Sequence, residues 1–535
     1  MVTRVINKPN RVPIEVKRDR KEKPPSPSRK RTRKAMEPAG TVRQNMAGAL
    51  AGALGLHGER MSKVDTAWLR MDSESNLMMI VGVWVLKPGI SYDDLSERLQ
   101  DRILKYRRFS QCVVEDSAGA TWVDDPDFSM ENHLVIETLI KKPKGREQEA
   151  LQQRLGELCM QPLERNRPLW QFHLVEHYRG GSAIMVRIHH CIADGIALIG
   201  VTQSLVDGGL PPPPRAHKPE GDAFGMAEDW IANALLKPFT NMTVKALAVA
   251  GEGAVHSLGL FVDPQKEVGE GVHATVDAAK TAFQVMSDVA ALALMADDSP
   301  TSLKGRPGKS KRVAWCPPLP LVEVKAVGKA LNCSVNDVLL SCVAGAIGAY
   351  LNARGEATEG KEIRAMVPVN LRPLSEAHKL GNQFGLVPLV LPIGLANPIE
   401  RVYEVRRRMS ALKGSTQPLL AFGVLALAGL MGKQVQELIM GMFTSKTTAV
   451  MTNVPGPQEK QKICGSTIEE TLFWVPQSGT VGMGVSILSY GGGVQFGVVT
   501  DASLCSEPQD IIYRFEPEFA KLSTVTMMLP WGEKV

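Results

Sequence analysis

The chain has 535 residues, too many for one ordinary hydrophobic core, and its 44% hydrophobic and 22% charged residues are those of a soluble multidomain protein. The net charge of +6 is confined to one end, because residues 1–43 carry +10 and everything after them carries −4. The eight cysteines are scattered with no C-x-x-C and no paired zinc spacing, so a disulfide scaffold and a zinc module are excluded and reduced cytoplasmic thiols are expected.

Residues 1–60 read as a basic disordered tail. The stretch KEKPPSPSRKRTRK has too little apolar surface to fold alone, and no apolar h-region of a signal peptide opens the chain. A solvated arm explains it fully; attraction to anionic headgroups, at about 1 kcal/mol per basic residue, is the functional alternative. Nucleic acid is disfavoured as a partner, since the tail has no aromatic residue to stack on bases. Met46 and Met61 both precede sensible alternative starts.

An N-terminal domain is expected over 61–210. MIVGVWVL (79–86) predicts a buried strand, and Ser91 with Asp94 caps a helix carrying Leu95, Leu99 and Ile103 on one face. A second helix is expected over 147–160. WQFHLVEHY and SAIMVRIHH, separated by Gly180-Gly181, predict a hairpin. Residues 211–312 read as linker and helical connector, opened by PPPPRAHKPEGD and closed by the basic, flexible TSLKGRPGKSKR. The C-terminal domain, 313–535, has expected strands in IRAMVPVNL, LVPLVLP, AVMTNVP, GVSILSY and VQFGVVTD. The apolar stretch 418–432 is short of the roughly 20 residues that span a bilayer and reads as a core helix.

The chemistry concentrates in IMVRIHHCIADGIALIG (184–200). On a strand His189 shares a face with Ala183, Met185 and Arg187, while His190 continues Ile184, Val186 and Ile188, so the two imidazoles face different surroundings. His190 in an apolar space stays neutral and can accept a proton from a hydroxyl as its oxygen attacks a carbonyl. Asp194, followed by Gly195, can fix the turn and hold the imidazole. Three rivals exist. The histidines could merely be satisfied in a core. His189, His190 and Asp194 could bind a metal, although adjacent strand residues diverge and no second ligand cluster follows. His189 and Asp194 also fit H-x4-D, the glycerolipid acyltransferase signature, but without that family's downstream phosphate motif.

HHCIADG (189–195) matches HHxxxDG of the coenzyme A-dependent acyltransferase superfamily. PLERNRPLW (162–170), SVNDVLLS (334–341), PVNLRP (368–373), GNQFG (381–385) and TNVPGP (452–457) narrow it, in that order. From Met61 to the C-terminus the chain resembles the bacterial bifunctional wax ester synthase/diacylglycerol acyltransferase family. That resemblance implies an α/β fold of mixed sheets, with two chloramphenicol-acetyltransferase-like domains joined by a helical connector and the site between them. It implies transfer of a long-chain acyl group from acyl-CoA to a diacylglycerol or a fatty alcohol, with His190 as base and His189, Asp194 and Gly195 completing its motif. No cofactor and no metal are expected, acyl-CoA being a co-substrate.

Ser334 and Asp337 fit a capping box. Asn336, in the same first helical turn, is a candidate to hold an oxyanion, and Asp337 a candidate substrate contact. Pro168, Leu169 and Trp170 would shape a packing corner or the acyl-CoA entrance, and Cys191 reads as a small buried hydrophobe. The alternatives are condensation on a carrier-bound thioester and a non-catalytic coat for lipid droplets. A cytoplasmic location, peripheral on the inner membrane face or on lipid inclusions, is expected; acceptor preference, chain length and oligomeric state are not legible.

Overall fold

The computed structural model describes residues 58–116, 119–211, 297–372, 379–413, 417–430, 436–437, 441 and 444–529. Residues 1–57 of the basic tail expected over 1–60 and most of the connector expected over 211–312 lie outside the described residues, and the last of that tail is no disordered arm, because Glu59–Arg60 pair with Thr121 and Trp122 as a strand.

The N-terminal half runs β1 (Glu59–Arg60), α1 (Lys63–Arg70), β2 (Met79–Lys87), α2 (Tyr92–Arg102), β3 (Gln111–Asp116), β4 (Gly119–Asp124), β5 (Leu134–Ile136), α3 (Glu147–Leu158), β6 (Trp170–Tyr178), β7 (Gly181–His189) and α4 (Gly195–Leu205). Local chemistry sets several boundaries. The Ser91 side chain accepts from the Asp94 N–H at the start of α2, and Leu95 and Leu99 are buried on one face. The β6–β7 hairpin turns through Arg179 and Gly180, both at positive φ (50° and 77°), a conformation that suits glycine.

The C-terminal half continues with β8 (Lys311–Trp315), β9 (Leu319–Pro320), α5 (Leu321–Ala330), α6 (Val335–Ala353), β10 (Ile363–Asn370), β11 (Phe384–Leu391), α7 (Pro398–Lys413), α8 (Gln417–Leu430), β12 (Ala449–Pro455), β13 (Lys462–Ile463), β14 (Ser466–Trp474), β15 (Met483–Tyr490), β16 (Gly493–Asp501) and α9 (Gln509–Met528). A full capping box opens α6: Ser334 accepts from the Asp337 N–H, and Asp337 accepts from the Ser334 N–H. By length and composition α6 could cross a membrane, yet it is buried in the core from Val338 to Leu351 except at Ala349.

Three sheets result. A seven-stranded sheet has the path β11-β10-β12-β15-β16-β8, with β9 paired to β16; a small one is β1-β4-β3. The third, six-stranded, has the order β13-β14-β2-β7-β6-β5, so two strands from the C-terminal half complete the N-terminal sheet. Register places Leu472 opposite Val83 and Trp474 opposite Val81. β14 is absent from the strands expected above. Without it β2 would be an open edge of buried apolar residues, and a covered edge is the stable arrangement.

The parity of β7 is as its sequence implies. Ile184 and Ile188 join the core between the halves, with Ile80, Trp84, Phe172, Phe384, Leu488 and Tyr490. Ala183 and Met185 face the opposite way, onto Leu151 and Leu155 of α3 and onto Val313 and Trp315. One reading needs correcting: Lys311, taken as part of a flexible basic break, is buried in β8. Its ammonium reaches Asp501 (3.2 Å) and Asn76 (2.7 Å). A sequence shows the charge and hides the partner that makes its burial tolerable.

Candidate active site

The site is assembled where β7 ends. The His189 N–H donates to the Leu169 carbonyl (2.9 Å) and the His190 N–H to that of Met78 (2.7 Å), so the histidine backbone is pinned from both neighbouring segments. The chain then turns into α4, with Asp194 as N-cap: its Oδ1 accepts from the Ala197 N–H at 2.9 Å.

The two imidazoles are held differently. His189 Nδ1 accepts from the Cys191 N–H (3.2 Å), which leaves Nε2–H to donate to Asp72 Oδ1 (3.3 Å). Burial pushes the Asp72 carboxyl up, but the His189 hydrogen bond, the Arg165 charge and the Met78 N–H outweigh it, and its pKa ends below the ordinary value. Both nitrogens of His189 are therefore occupied.

His190 is 3% exposed. Its ring stacks on Trp68 of α1, with centroids 4.2 Å apart and planes 13° apart, and Phe384 stands 5.5 Å away. His190 Nδ1 meets Asn382 Oδ1 at 2.8 Å. The amide cannot be turned round, because Asn382 Nδ2 donates to both Asp65 Oδ1 (2.7 Å) and the His190 carbonyl (2.7 Å). Nδ1 must carry the proton, and the lone pair belongs to Nε2, which no described residue engages. Burial is the main cause that lowers the His190 pKa to about 4, partly opposed by the Asn382 hydrogen bond, so the ring is neutral at pH 7.

Asp65 anchors this arrangement. Ser62-x-x-Asp65 has the spacing of a cap, and the Asp65 N–H does donate to Ser62 Oγ. The carboxylate, however, points inward, to Asn382 and to Arg108 Nη1 (3.0 Å), which also donates to the Ile192 carbonyl (2.9 Å).

Asp194 does not touch either imidazole. Its Oδ2 takes Arg372 Nη2 (3.0 Å) and the Gln383 N–H (2.9 Å), and Arg372 also donates to the Gly381 carbonyl (2.6 Å). It thus fixes Gly381–Gln383, the segment that presents Asn382 to His190. Burial raises the Asp194 pKa above its ordinary value, with the Arg372 charge and two backbone N–H groups acting against it. Gly381 adopts φ +111°, which an L side chain rarely takes, and a Cβ there would meet Arg108 and Asp65 within 3.5 Å.

Beside the motif lies an apolar cavity with about 1020 Å³ of empty space, open solvent at its mouth included. Ile80, Trp84, Phe172, Val186 and Ile188 line it from the His190 face of the sheet, and Gly195, Leu198 and Ile199 from α4. Phe473 of β14, opposite Gly82, extends the sheet wall, and Val454, Gly456 and Pro457 of TNVPGP supply another side, so both halves build it. A Cβ on Gly195 would meet nothing within 4 Å.

The remaining sequence candidates lie further out. Asn336 Oδ1 accepts from Asn453 Nδ2 (2.5 Å) on β12, which ties it to the TNVPGP wall and not to His190. The Asp337 carboxylate is engaged in the α6 cap. Leu169 and Trp170 are core residues, the Trp170 indole donating to the Phe109 carbonyl and its ring stacking on His133; Pro168 leads into them, and none of the three lines the cavity. Burial lifts the Cys191 thiol well above its ordinary pKa, which keeps it protonated. Among the described residues no group of three or more His, Cys, Asp or Glu side chains could hold a metal ion.

Sequence reasoning missed Asp65, Trp68, Asp72, Arg108, Arg372, Asn382 and Phe384 as site residues. The signals available were GNQFG and PVNLRP, which hold three of them; nothing local marks the rest.

Residues 61–339 match the family model described as the wax ester synthase/diacylglycerol acyltransferase catalytic domain, and residues 380–523 match the WS/DGAT C-terminal domain. Proteins named as diacylglycerol O-acyltransferases from Mycobacterium tuberculosis (strain ATCC 25618 / H37Rv) and Mycobacterium bovis are each 24% identical over 477 residues, covering 87% of this chain and 96% of theirs. The solved wax ester synthase/diacylglycerol acyltransferase from Marinobacter aquaeolei VT8 shares the fold, with a TM-score of 0.58 at 18% identity over 88% of this chain and all of that one.

Proposed function

The chain belongs to the wax ester synthase/diacylglycerol acyltransferase family and is an O-acyltransferase, and we propose that it transfers the acyl group directly in a ternary complex, with His190 as general base. The hydroxyl of a diacylglycerol or fatty alcohol gives its proton to His190 Nε2 as its oxygen bonds to the thioester carbonyl carbon of acyl-CoA. The C–O bond forms, the carbonyl electrons move onto oxygen, and the tetrahedral intermediate collapses by breaking the C–S bond. His190 Nε2 then returns its proton to the CoA thiolate. The α4 N-terminus, which borders the cavity at Gly195, is the oxyanion donor of this reading; Asn336, tied to Asn453 and away from His190, is not.

The observation that carries it is the tautomer of His190: Asn382 fixes the proton on Nδ1 and leaves a neutral ring with Nε2 available. His189 supplies no second base, because both of its nitrogens are engaged. No bound cofactor enters this scheme. Both acceptors are lipids, so the reading includes peripheral contact with a membrane or lipid inclusion, which co-sedimentation with vesicles measures.

The test is CoA release by purified protein given palmitoyl-CoA, with hexadecanol or dioleoylglycerol as separate acceptors. Acceptor-dependent release is expected, and His190→Ala is expected to lose on the order of 10²–10⁴ in turnover while its thermal unfolding stays cooperative. An undiminished rate in His190→Ala rules out the base assignment.

A further inference from the structure

The cavity is apolar along most of its length, yet two glutamines from different halves of the chain meet in its wall. Gln203, in the last turn of α4, donates through Nε2 to Gln461 Oε1 (2.9 Å), and Gln461 Nε2 donates back to Gln203 Oε1 (2.8 Å). Gln203 lies about 12 Å along α4 from Gly195, at 1.5 Å per residue, so the pair stands well away from the histidines, with only Leu205 and Val206 of this segment lining the cavity beyond it.

That region is built firmly. The Gln461 N–H donates to the Tyr490 hydroxyl (2.8 Å), which donates on to the Ile468 carbonyl (3.0 Å). Just beyond Gln203, Asp207 accepts from the N–H groups of Cys464 (2.9 Å) and Gly465 (2.8 Å) and from Arg98 (2.9 Å), while its own N–H donates to the Lys462 carbonyl (2.7 Å). The C-terminus of α4 is thereby clamped to the turn after Gln461, and the two amides are held face to face.

We propose that the Gln203–Gln461 pair is the chain-length stop of this cavity, limiting how long an alkyl chain can lie between the histidine motif and the distal end. The inference rests on the acyl-transfer reading for the identity of the chain, which belongs either to the acyl-CoA or to the alcohol. The two side chains fill this part of the cavity, so a methylene pushed into them must displace their bulk, and in doing so it also breaks two mutual hydrogen bonds between half-buried amides. Up to the pair, each methylene seated adds about fourfold to affinity.

Binding of acyl-CoAs and, separately, of 1-alkanols from eight to eighteen carbons, read as thermal stabilisation below their micelle concentrations, tests this without requiring turnover. In the wild type the gain per methylene should stop at one chain length in one of the two series, and that series identifies the chain the cavity holds. Gln203→Ala and Gln461→Ala each remove a γ-carbon and a carboxamide, and should move the break outward by roughly two to four carbons, with about fourfold per added methylene restored. Gln203→Leu keeps the volume and should leave the break in place. An unmoved break in both alanine variants, no break in either wild-type series, or the same shift in Gln203→Leu overturns the stop. Absence of CoA release with all donors and acceptors would instead count against the acyl-transfer reading, while the binding series still decides the stop.

Discussion

At the scale of residues, the pair of adjacent histidines illustrates how one backbone step separates two functions. His189 spends both nitrogens on Cys191 N–H and Asp72, whereas His190 spends only Nδ1. That division was legible from strand parity alone, because neighbours on a strand face opposite ways. The group that sets the His190 tautomer was not: Asn382 lies 192 positions away and its anchor Asp65 a further long step from it in the chain. Asp194 was expected to hold the imidazole, and it acts one residue removed, on the segment bearing Asn382. Asn382→Ala should therefore reduce kcat roughly 10- to 100-fold with KM nearly unchanged, less than the loss of an ionised orienting partner in a serine-protease triad. Steady-state kinetics at fixed pH checks this, and a change confined to KM would show that Asn382 acts on substrate.

At the scale of elements, the histidine motif is a strand end, a turn and a helix N-terminus, and each part follows from its residues. Asp194 caps, Gly195 opens α4, and the apolar run IALIGV continues it along the cavity. Gly195 has no positive φ to accommodate, and a Cβ there meets open space. Its lack of a side chain serves the cavity, not the backbone. Gly195→Val should therefore leave the melting temperature within a few degrees while cutting activity at least tenfold, since the added branch stands in the cavity beside the motif. A large loss of stability with proportionate loss of activity would contradict that account. Capping boxes and hairpins were readable because their determinants lie within four residues of one another. β14 was not, since STIEETLFW mixes a bulge with polar residues, and only its pairing with β2 across the two halves makes it a strand.

At the scale of the molecule, the two halves are joined by two strands that the C-terminal half lends to the N-terminal sheet and by polar contacts that cross between them. Lys311 of β8 is the most deeply committed of these, reaching Asn76 in one half and Asp501 in the other. Burial pulls the Lys311 pKa down, against the pull of Asp501 in the opposite direction. Lys311→Met leaves Asp501 buried without its cation, and should cost about 3–5 kcal/mol in urea unfolding. A change under 1 kcal/mol would mean that Ser503 and the Gly308 N–H satisfy Asp501 unaided. The existence of two α/β halves was readable from the alternation of strands and helices; how they interlock was not, because long-range pairing leaves no local trace in composition or period.

The central claim, that a neutral His190 held by Asn382 is the base, is tested most directly by the pH dependence of kcat/KM for the wild type and Asn382→Asp. A His190 pKa of about 4, against an ordinary value of 6.5, places the acid limb of the wild type well below pH 6. Between those values the unfolded chain binds a proton that the folded site refuses, so the stability tied to this group is complete above pH 6.5 and lost as pH falls toward 4; short assays from a neutral stock keep the two effects apart. A carboxyl in place of the amide meets Asp65 where Nδ2 donated, so the two share a proton and negative charge is brought against Nδ1–H; that favours the imidazolium, and the limb of Asn382→Asp should move to higher pH. A wild-type limb at pH 6.5 that stays there in Asn382→Asp would contradict the account.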